Sequence, residues 1–443
     1  MPVTVNMTSI PSRFCHLQSI VDNLRTHSVI DDIIIHIPTK YDNPKFTYNE
    51  PPSIKGATVH IVDKDYGPAR RYIYAQGEGT ILIVDDDTWY DPRLSETLVR
   101  KHNEDQGFWT GSGFNFEKYF IGDFSKIPGE AVTVMEGYGM ILLPSTVIDT
   151  IREEFKAFSE VYTTCDDLIL ANLLEKYYPD VPRHFYTEPI WIKQLEYGFE
   201  SDALHRQNEE GTHLENYKRV LKSLKQTKKM YFKKPVVSYA IGVCTEHAEL
   251  DTLLEILVDT MIHSDEICIL VDESNTNDHV TRVLTKYAWA ISIVERRAFS
   301  GNFSVHKNFL GSLCIGKYIF NIDADEVPTE LLMDQVYQLV RTDSDLVMIP
   351  RVNIVLGRTT MFTRNDVGFI NWPDYQGRLY KNSSTIQWVG KLHEMIHGAE
   401  KIIMVKDIPN ISLWHIKKSS KLDSQKIFYD SLSVADANNM SKV

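Results

Sequence analysis

The chain has 443 residues, which is enough for two or three domains that each bury a core of their own. Hydrophobic residues make up 43% of it and charged residues 24%, so disorder is excluded as its main state. The formal net charge of -13 and an isoelectric point near 5.6 disfavour a nucleic-acid binder, because phosphate backbones are bound by basic surfaces.

Five cysteines are widely spaced along the chain, and none forms a Cys-x-x-Cys pair. This spacing favours neither a disulfide framework nor a zinc site, and it fits a reducing compartment. The N-terminal residues MPVTVNMTSIPSR contain no basic segment followed by an apolar one, and no window has the apolar length that spans a bilayer. We therefore expect a cytoplasmic protein without a transmembrane segment.

Short apolar runs alternate with helical or polar segments in the first half of the chain. The runs are residues 3–7, 32–37, 58–62 and 80–84. This alternation predicts a mostly parallel sheet with helices packed on it. Helical spacing is also found in LSETLVRKHN after residue 93 and in residues 166–178, where Asp166 and Asp167 stand near the helix N-terminus.

The composition changes at residues 214–234, a lysine-rich segment that predicts a helix leading into Pro235. The alternation then begins again. Strands are predicted at residues 236–243, 266–274 and 290–295 and in a run ending at Asp323, with helices at 249–261, 278–287 and 304–314. We therefore predict two α/β domains of similar plan, residues 1–230 and residues 231–443.

An acidic cluster follows an apolar strand in each half of the chain. The clusters are Asp85, Asp86 and Asp87 in the first half and Asp323, Asp325 and Glu326 in the second. Open α/β sheets bind ligands at the carboxyl ends of their strands, where aspartates can hold a divalent cation together with nucleotide phosphates. For one cluster alone, a solvated strand end with capping aspartates is the favoured alternative. Two clusters in equivalent places favour the metal.

The N-terminal half resembles nucleotide-sugar glycosyltransferases of the GT-A fold. The matching segments are MTSIPSR, DYGPARR, VDDDTWYDP and TTCDDLILA, which begin at residues 7, 65, 84 and 163. The resemblance implies nucleotide contacts from Thr8, Arg13, Asp65, Arg70, Arg71, Asp85 and Asp86, metal ligation by Asp85 and Asp87, and catalytic roles for Asp166 and Asp167. Helix capping is the alternative for the last two. The glycines of EGYGMILLP, residues 136–144, allow either close approach of a sugar or tight strand packing.

The C-terminal half resembles glycosyltransferase family 2. The matching segments include VVSYAIGVCTEHAEL, EICILVDESNTND, GKYIFNIDADEVP, GRLYKN and WVGKLHE. The resemblance implies nucleotide contacts from Glu246, Asp272, Lys307 and Asp323, metal ligation by Asp323 and Asp325, and a metal shell completed by His393 or His415. Glu394 is the expected base that takes a proton from the acceptor, with Asp374 as its rival.

Together these features predict a tandem glycosyltransferase that uses Mn²⁺ or Mg²⁺ and a nucleotide diphosphate sugar, UDP-linked according to the resemblance, to extend a glycan acceptor. The tandem plan and NMTSIPSR resemble enzymes that chloroviruses encode for their capsid glycans, which implies L-rhamnose among the sugars and the host cytoplasm as the location. One catalytic domain beside a glycan-binding one is the alternative. A carbohydrate-binding protein with degenerate domains is disfavoured by the intact aspartates. The oligomeric state is left open.

Overall fold

The structure is a computed structural model that describes residues 1–116, 130–162, 165–186, 190–196, 213–232, 235–356 and 369–418. The chain divides into two units, Met1–Val220 and Leu221–Val443. This division falls within the helix His213–Gln226, whereas the sequence places the boundary after residue 230. Each unit is described by itself.

The N-terminal unit alternates strands and helices through most of its length. Its strands are β1 (Val3–Thr8), β2 (Asp32–Pro38), β3 (Thr58–Val62), β4 (Thr80–Ile83), β5 (Thr88–Tyr90), β6 (Phe108–Thr110), β7 (Gly113–Phe114), β8 (Val134–Met135), β9 (Ile141–Pro144), β10 (Arg183–Phe185) and β11 (Ile192–Gln194). Its helices are α1 (Leu17–Leu24), α2 (Arg70–Ile73), α3 (Pro92–Asp105), α4 (Ser145–Ser159) and α5 (Asp166–Tyr177), and α6 (His213–Gln226) follows at the division.

Seven strands of the N-terminal unit form one sheet in the order β10-β6-β9-β4-β1-β2-β3. The pairs β1–β2, β2–β3, β1–β4 and β6–β10 are parallel, and β9 is antiparallel to both β4 and β6. Residues of the central strands β1, β2 and β4 are almost all buried, the polar residues Thr4, Asn6 and His36 included, as is typical of parallel strands that are covered on both faces. The carboxyl ends of β1, β2 and β4 therefore meet at one edge of the sheet.

The C-terminal unit repeats this alternation. Its strands are β12 (Val237–Val243), β13 (Glu266–Asp272), β14 (Ile293–Arg297), β15 (Tyr318–Asp323), β16 (Glu326–Pro328), β17 (Leu346–Ile349), β18 (Arg351–Leu356), β19 (Gln376–Lys381), β20 (Gln387–Val389), β21 (Met395–His397), β22 (Ile402–Met404) and β23 (Leu413–Lys418). Its helices are α7 (His247–Thr260), α8 (Asp278–Lys286), α9 (Phe303–Ser312) and α10 (Glu330–Arg341).

The large sheet of the C-terminal unit has the order β14-β13-β12-β15-β19-β17-β22. Strands β12 to β15 pair in parallel, and β19 is antiparallel to β15 and β17. The order β14-β13-β12-β15-β19 repeats the order β3-β2-β1-β4-β9 of the first unit, orientation included. The α/β class and the two Rossmann-like sheets expected from the sequence are confirmed.

The long lysine-rich helix predicted over residues 214–234 is shorter than expected. Helix α6 ends at Gln226, and Lys228 adopts a left-handed φ of 55°. The Lys228 N–H donates to the Lys225 carbonyl and the Lys229 N–H to the Leu224 carbonyl, which is the bond pattern of a Schellman helix end. The prediction over residues 227–232 was wrong because this turn satisfies the final carbonyls of the helix, and residues 233 and 234 lie outside the described residues.

One buried polar pair interrupts the apolar strands of the N-terminal sheet. His36 in β2 is fully buried, with its Nε2 2.9 Å from Oδ1 of Asn6 and its Nδ1 3.1 Å from Nδ1 of His60 in β3. Burial lowers the pKa of His36 to about 3, because its surroundings disfavour the charged imidazolium. The ring is therefore neutral at physiological pH.

None of the helices in the described ranges is both long and apolar enough to cross a membrane.

Candidate functional site

The three aspartates of the first cluster lie in the short connection between β4 and β5, at the carboxyl edge of the N-terminal sheet. Asp86 and Asp87 are buried, and Asp85 is partly exposed. The chain turns directly into helix α3 because Asp91 caps it by accepting from the Arg93 N–H, with Pro92 as the first helical residue. The aspartates are thus fixed between a central strand and a capped helix.

Arg13 neutralises part of this cluster from the 3₁₀ helix Pro11–His16, which follows β1. Its Nη1 lies 2.6 Å from Oδ1 of Asp86 and 3.2 Å from Oδ2 of Asp87, and the Ser9 hydroxyl donates to Asp86 as well. Burial raises the pKa of Asp86, while Arg13 opposes that rise. The structure therefore brings Arg13 to the cluster, whereas Ser9 was not predicted from the sequence.

Arg70 joins two of the residues that the resemblance assigns to the nucleotide. Its Nε donates to Oγ1 of Thr8 at 2.7 Å, its Nη1 pairs with Asp65, and its Nη2 donates to the Ser9 carbonyl at 3.1 Å. The guanidinium is fully enclosed, with Tyr41 packed against it. Thr8, Asp65 and Arg70 therefore form one rigid group beside the strand ends.

Arg71 connects the strand-end cluster with the amino end of helix α5. It pairs with Asp85, and its Nη2 lies 2.8 Å from Oδ2 of Asp166 and 3.6 Å from Oδ1 of Asp167. Gly137 makes room for this, because a Cβ at that position would overlap the Arg71 guanidinium. Gly137 therefore allows close approach of an arginine, which neither alternative drawn from the sequence included. Gly139 fits the alternative of tight packing, because a Cβ there would overlap the Ser112 amide nitrogen.

Asp167 is the most perturbed acid of this site. Burial, followed by the charge of Asp166, raises its pKa to about 8, although Arg71 opposes the shift. Its carboxyl group accepts from the Gly137 N–H at 3.2 Å and from the Tyr72 hydroxyl at 3.4 Å. This arrangement therefore favours the neutral form of Asp167 more than that of an ordinary aspartate. Asp166 and Asp167 occupy the first turn of α5, where the helix dipole favours acids, and the N-cap residue Cys165 makes no side-chain cap hydrogen bond.

The second cluster lies at the carboxyl end of β15 and the start of β16. Arg378 in β19 donates to Oδ2 of Asp323 and to Oε1 of Glu326, both at 2.6 Å, and the Arg378 side chain is 3% exposed. Burial alone would raise the pKa of Asp323, but Arg378 and then Lys307 hold it well below its usual range. Asp323 is therefore a carboxylate, and 36% of its side chain remains open to a ligand.

Asp325 faces the strand β23, which pairs with β16 in antiparallel register. Its Oδ2 lies 3.4 Å from Nε2 of His415 and 3.7 Å from Nζ of Lys417. The other ring nitrogen of His415 is 2.8 Å from Oδ1 of Asn353. The structure therefore brings His415 to the cluster. His393 lies exposed in the turn between β20 and β21, and among the described residues no hydrogen bond or ion pair joins it to an aspartate of the cluster.

Glu394 reaches the second cluster through Lys307. The Lys307 Nζ lies 2.9 Å from Oε1 of Glu394 and 3.2 Å from Oδ1 of Asp323, and it sits 4.4 Å from the centre of the Trp388 ring. The short helix α9 positions Lys307, because the Asn302 side chain caps that helix at the Val305 N–H.

Asp374 is the alternative candidate for the base, and both oxygens of its carboxylate accept hydrogen bonds. Its Oδ2 accepts from Arg351 at 2.8 Å and from Asn353 Nδ2 at 2.6 Å, and its Oδ1 accepts from Gln376 at 3.0 Å. Arg351 also donates to Glu326. Each oxygen of Asp374 therefore already has a donor, which leaves its carboxylate less free to take a proton than that of Glu394.

Glu246 and Asp272 lie beside each other at the carboxyl ends of β12 and β13. Oε2 of Glu246 accepts from the Cys244 N–H at 3.0 Å and the Thr245 N–H at 2.8 Å. Oδ1 of Asp272 accepts from the Ser274 N–H at 3.1 Å and the Phe299 N–H at 3.0 Å. The two acids thus shape a loop edge where the resemblance expects a base to lie.

Sequence reasoning missed Ser9, Arg351 and Arg378. Arg378 stands within the segment GRLYKN, where an arginine in a buried strand signals a carboxylate partner, because a buried charge requires one. That partner could not be named without the fold. The signal for Ser9 is absent, since a serine after a strand is common in any loop.

The donor atoms present suit a hard divalent cation. In the first unit five aspartates face Arg13 and Arg71, which leaves an excess of negative charge. In the described part of the chain, the aspartates do not form a trio with donor atoms within 4.8 Å of one another. This arrangement fits Mg²⁺ or Mn²⁺, since Mg²⁺ commonly takes one or two carboxylates and fills its shell with water and phosphate oxygens.

A buried group of one glutamate and two cysteines does have its donor atoms this close together. Glu266, Cys268 and Cys314 are buried with donor atoms within 4.8 Å of one another. Oε1 of Glu266 accepts from the Ile315 N–H at 2.6 Å and the Gly316 N–H at 3.3 Å, and from the Ser238 hydroxyl. Its carboxylate therefore ties the end of α9 to the sheet.

Comparison with known proteins gives limited likeness. No protein-family model matches the chain. It is similar to the poly(ribitol-phosphate) β-N-acetylglucosaminyltransferase TarP of Staphylococcus aureus strain N315, at 29% identity over 99 residues that cover 22% of this chain and 30% of TarP. Solved structures of S. aureus TarS 1–349, alone and with UDP-GlcNAc, are similar at 15% identity and a TM-score of 0.32, over 42% of this chain and 60% and 59% of TarS. The chain thus spans about a third of the curated relative that it matches.

Proposed function

We propose that the chain is a glycosyltransferase that moves a sugar from a nucleotide diphosphate onto a glycan, with one site in each unit. The observation that carries the proposal is the repeated position of an acidic cluster after the fourth parallel strand, with buried cations beside it. Carboxylates there can hold a divalent ion, and arginine or lysine can face the diphosphate. The likeness to TarP supports sugar transfer.

Each residue of the C-terminal site has a role in this reaction. The acceptor hydroxyl oxygen attacks the anomeric carbon, the bond from that carbon to the diphosphate oxygen breaks, and Glu394 takes the hydroxyl proton. Asp323 and Asp325 would hold Mn²⁺ or Mg²⁺, which supplies Lewis-acid stabilisation of the departing diphosphate. Lys307 lies between Glu394 and Asp323, where its ammonium group can face the diphosphate.

The N-terminal site contains a comparable set of acidic and cationic side chains. Asp85 and Asp87 would hold the ion, and Arg13 and Arg71 stand beside them as cations for the phosphates. The Asp166–Asp167 pair comes from the amino end of α5, on the other side of Arg71. One of these two acids would accept the proton of the acceptor hydroxyl once substrate rearranges the contacts of Arg71.

Two sugars are candidates for the donor. L-rhamnose follows from the resemblance to chlorovirus capsid-glycan enzymes, and N-acetylglucosamine is the sugar in the name of TarP. We propose UDP as the carrier and successive transfers by the two units onto one glycan.

A screen of donors tests the proposal directly. The full chain is incubated with UDP-L-rhamnose, UDP-N-acetylglucosamine, UDP-glucose and UDP-galactose in the presence of Mn²⁺, and released UDP and products are measured by mass spectrometry. The proposal is supported if one or two donors turn over at rates well above their rate of breakdown in buffer without the protein. Nucleotide binding without turnover of any donor or acceptor would contradict it and favour a glycan-binding protein.

A further inference from the structure

The strand pair β5–β11 places two tryptophans beside the N-terminal acidic cluster. The antiparallel register sets Trp89 opposite Lys193 and Tyr90 opposite Ile192. The ladder continues at both ends, because the Asp91 N–H donates to the Trp191 carbonyl at 3.0 Å and the Leu195 N–H donates to the Asp87 carbonyl at 2.7 Å. Strand β11 therefore flanks the whole segment from Asp87 to Asp91.

Alternation along the two strands assigns side chains to faces. Directly opposite residues of an antiparallel pair share a face, and so do residues two apart on one strand. Trp89, Lys193 and Trp191 are therefore on one face of the ladder, while Tyr90 and Ile192 are on the other. Tyr90 is fully buried in the core, and Trp89 and Ile192 pack against that core. Trp89 and Trp191 are diagonal neighbours, about 7–8 Å apart along the backbone, within reach of one ligand.

The Trp89 ring packs against the core, but each of the two indoles has one feature that this packing does not explain. Trp191 is 46% exposed, and it is among the largest apolar side chains left open to solvent in the described part of the chain. The Nε1 atom of Trp89 is buried and has no hydrogen-bond partner among the described residues. A buried donor without a partner costs free energy, so it is expected where a ligand supplies the acceptor.

Lys193 completes this face. Its ammonium group lies over the Trp89 ring, 5.7 Å from the ring centre, and its side chain is exposed. The face thus offers two aromatic planes, the buried and unpaired N–H of Trp89, and the exposed ammonium group of Lys193. A pyranose ring matches this set, because its C–H faces pack on aromatic rings while its ring edge offers hydroxyl oxygens to N–H donors.

We propose that the face formed by Trp89, Trp191 and Lys193 binds the acceptor glycan of the N-terminal site, with one sugar ring packed on Trp191 and a hydroxyl of the acceptor accepting from Nε1 of Trp89. The proposal rests on the proposed glycosyltransferase function and names the surface that receives the acceptor. Asp87 lies in the turn directly before β5, and its carbonyl accepts from the Leu195 N–H at 2.7 Å, so this face borders the strand-end cluster.

Saturation-transfer NMR on the full chain tests sugar binding without any chemistry. The probes are the methyl α- and β-glycosides of glucose, galactose, xylose, L-rhamnose and N-acetylglucosamine at millimolar concentration. We expect saturation transfer to at least one glycoside, a loss of about tenfold in its affinity in Trp191→Ala, and near-normal affinity in Trp191→Phe, since aromatic stacking contributes a factor of this size. Tyr177→Ala is the matched control, because Tyr177 is 39% exposed on α5 and donates to Glu154.

A second measurement separates this surface from the enzymatic proposal. With the best donor from the screen, Trp191→Ala should raise the KM for the acceptor about tenfold and change kcat by less than about twofold, and UDP affinity measured by calorimetry should equal that of the wild type. Trp89→Phe, which removes the N–H and keeps a ring, should raise the acceptor KM as well.

Two results would overturn the surface assignment. One is a wild-type chain that shows no saturation transfer to any glycoside, and the other is an unchanged acceptor KM in both Trp191→Ala and Trp89→Phe. A chain that binds glycosides through Trp191 but turns over no nucleotide sugar would instead contradict the enzymatic proposal, and the face would then be a glycan-binding surface without an acceptor role.

Discussion

The Nζ atom of Lys307 lies 2.9 Å from Oε1 of Glu394 and 3.2 Å from Oδ1 of Asp323. One ammonium group thus connects the residue expected to take a proton with the residue expected to hold the metal. The contact fixes Glu394 beside the strand-end cluster, although the two acids are far apart in sequence. Asp374 has no comparable position, since Arg351, Asn353 and Gln376 already occupy its oxygens.

Replacing Glu394 by Gln should reduce transfer by the C-terminal site by about two to four orders of magnitude, the range expected for loss of a general base. The amide keeps the size of the acid but cannot accept the proton of the acceptor, so donor affinity should change little. Single-turnover kinetics with saturating donor measure the rate. Glu400→Gln is the control, because Glu400 is exposed in the same unit. Near-normal turnover in Glu394→Gln would make Asp374 the residue to test.

Changing Asp87 to Ala should abolish transfer by the N-terminal site and leave the C-terminal transfer intact, and Asp325→Ala should do the reverse. The reason is that each acidic cluster has its own cations, Arg13 beside the first and Arg378 beside the second. Product analysis by mass spectrometry distinguishes the two transfers. Loss of both activities from either change would mean that one composite site performs the reaction.

Removal of divalent cations should stop transfer in both units, and Mn²⁺ or Mg²⁺ should restore it where an alkali ion does not. Carboxylate and phosphate oxygens are hard ligands that prefer these ions. The measurement is turnover after dialysis against a chelator, followed by titration with each ion. Undiminished turnover in excess chelator would remove the metal from the mechanism of that unit.

Gly137→Ala should lower N-terminal transfer by at least about tenfold and destabilise the fold by about 1–3 kcal/mol, the range for overpacking a filled site. An added Cβ overlaps the Arg71 guanidinium and moves it from Asp85 and Asp166. Steady-state kinetics and urea unfolding provide the two measurements. Gly242→Ala is the matched control, because a Cβ there meets nothing within 4 Å. Wild-type N-terminal activity in Gly137→Ala would show that the position of Arg71 is not required.

The stability of the N-terminal unit should fall as the pH drops below about 6.5, the ordinary pKa of histidine. Burial lowers the pKa of His36 to about 3 in the folded chain, so between these two values the unfolded chain binds a proton that the folded chain does not. The slope from this group approaches about 1.4 kcal/mol per pH unit at most. Urea unfolding at pH 7.5 and 5.5 measures the free energy of unfolding at each pH, and His36→Gln should reduce the difference between the two values. An equal pH-dependent difference in the wild type and in His36→Gln would show that other titratable groups cause the pH dependence.

The sequence predicts the strands well because apolar runs of this length must be buried on both faces of a parallel sheet. The run at residues 80–84 and the strand β4 (Thr80–Ile83) agree to within one residue, and the acidic residues follow as expected. Partners across the fold could not be predicted in the same way. Arg71 meets Asp166 across 95 positions of chain, and Arg378 meets Asp323 across 55. Such pairs depend on which strands become neighbours, which local patterns do not specify.

The position of β9 has a consequence for the order in which the protein can form. Strand β9 lies between β4 and β6, so β6 has no place in the sheet until the chain beyond residue 141 exists. In the second unit β19 lies between β15 and β17 in the same way. During synthesis each nascent half therefore exposes an edge of its parallel core until one late antiparallel strand arrives and closes it. A nascent chain that stops before either strand would therefore leave an unpaired strand edge, which is prone to aggregation.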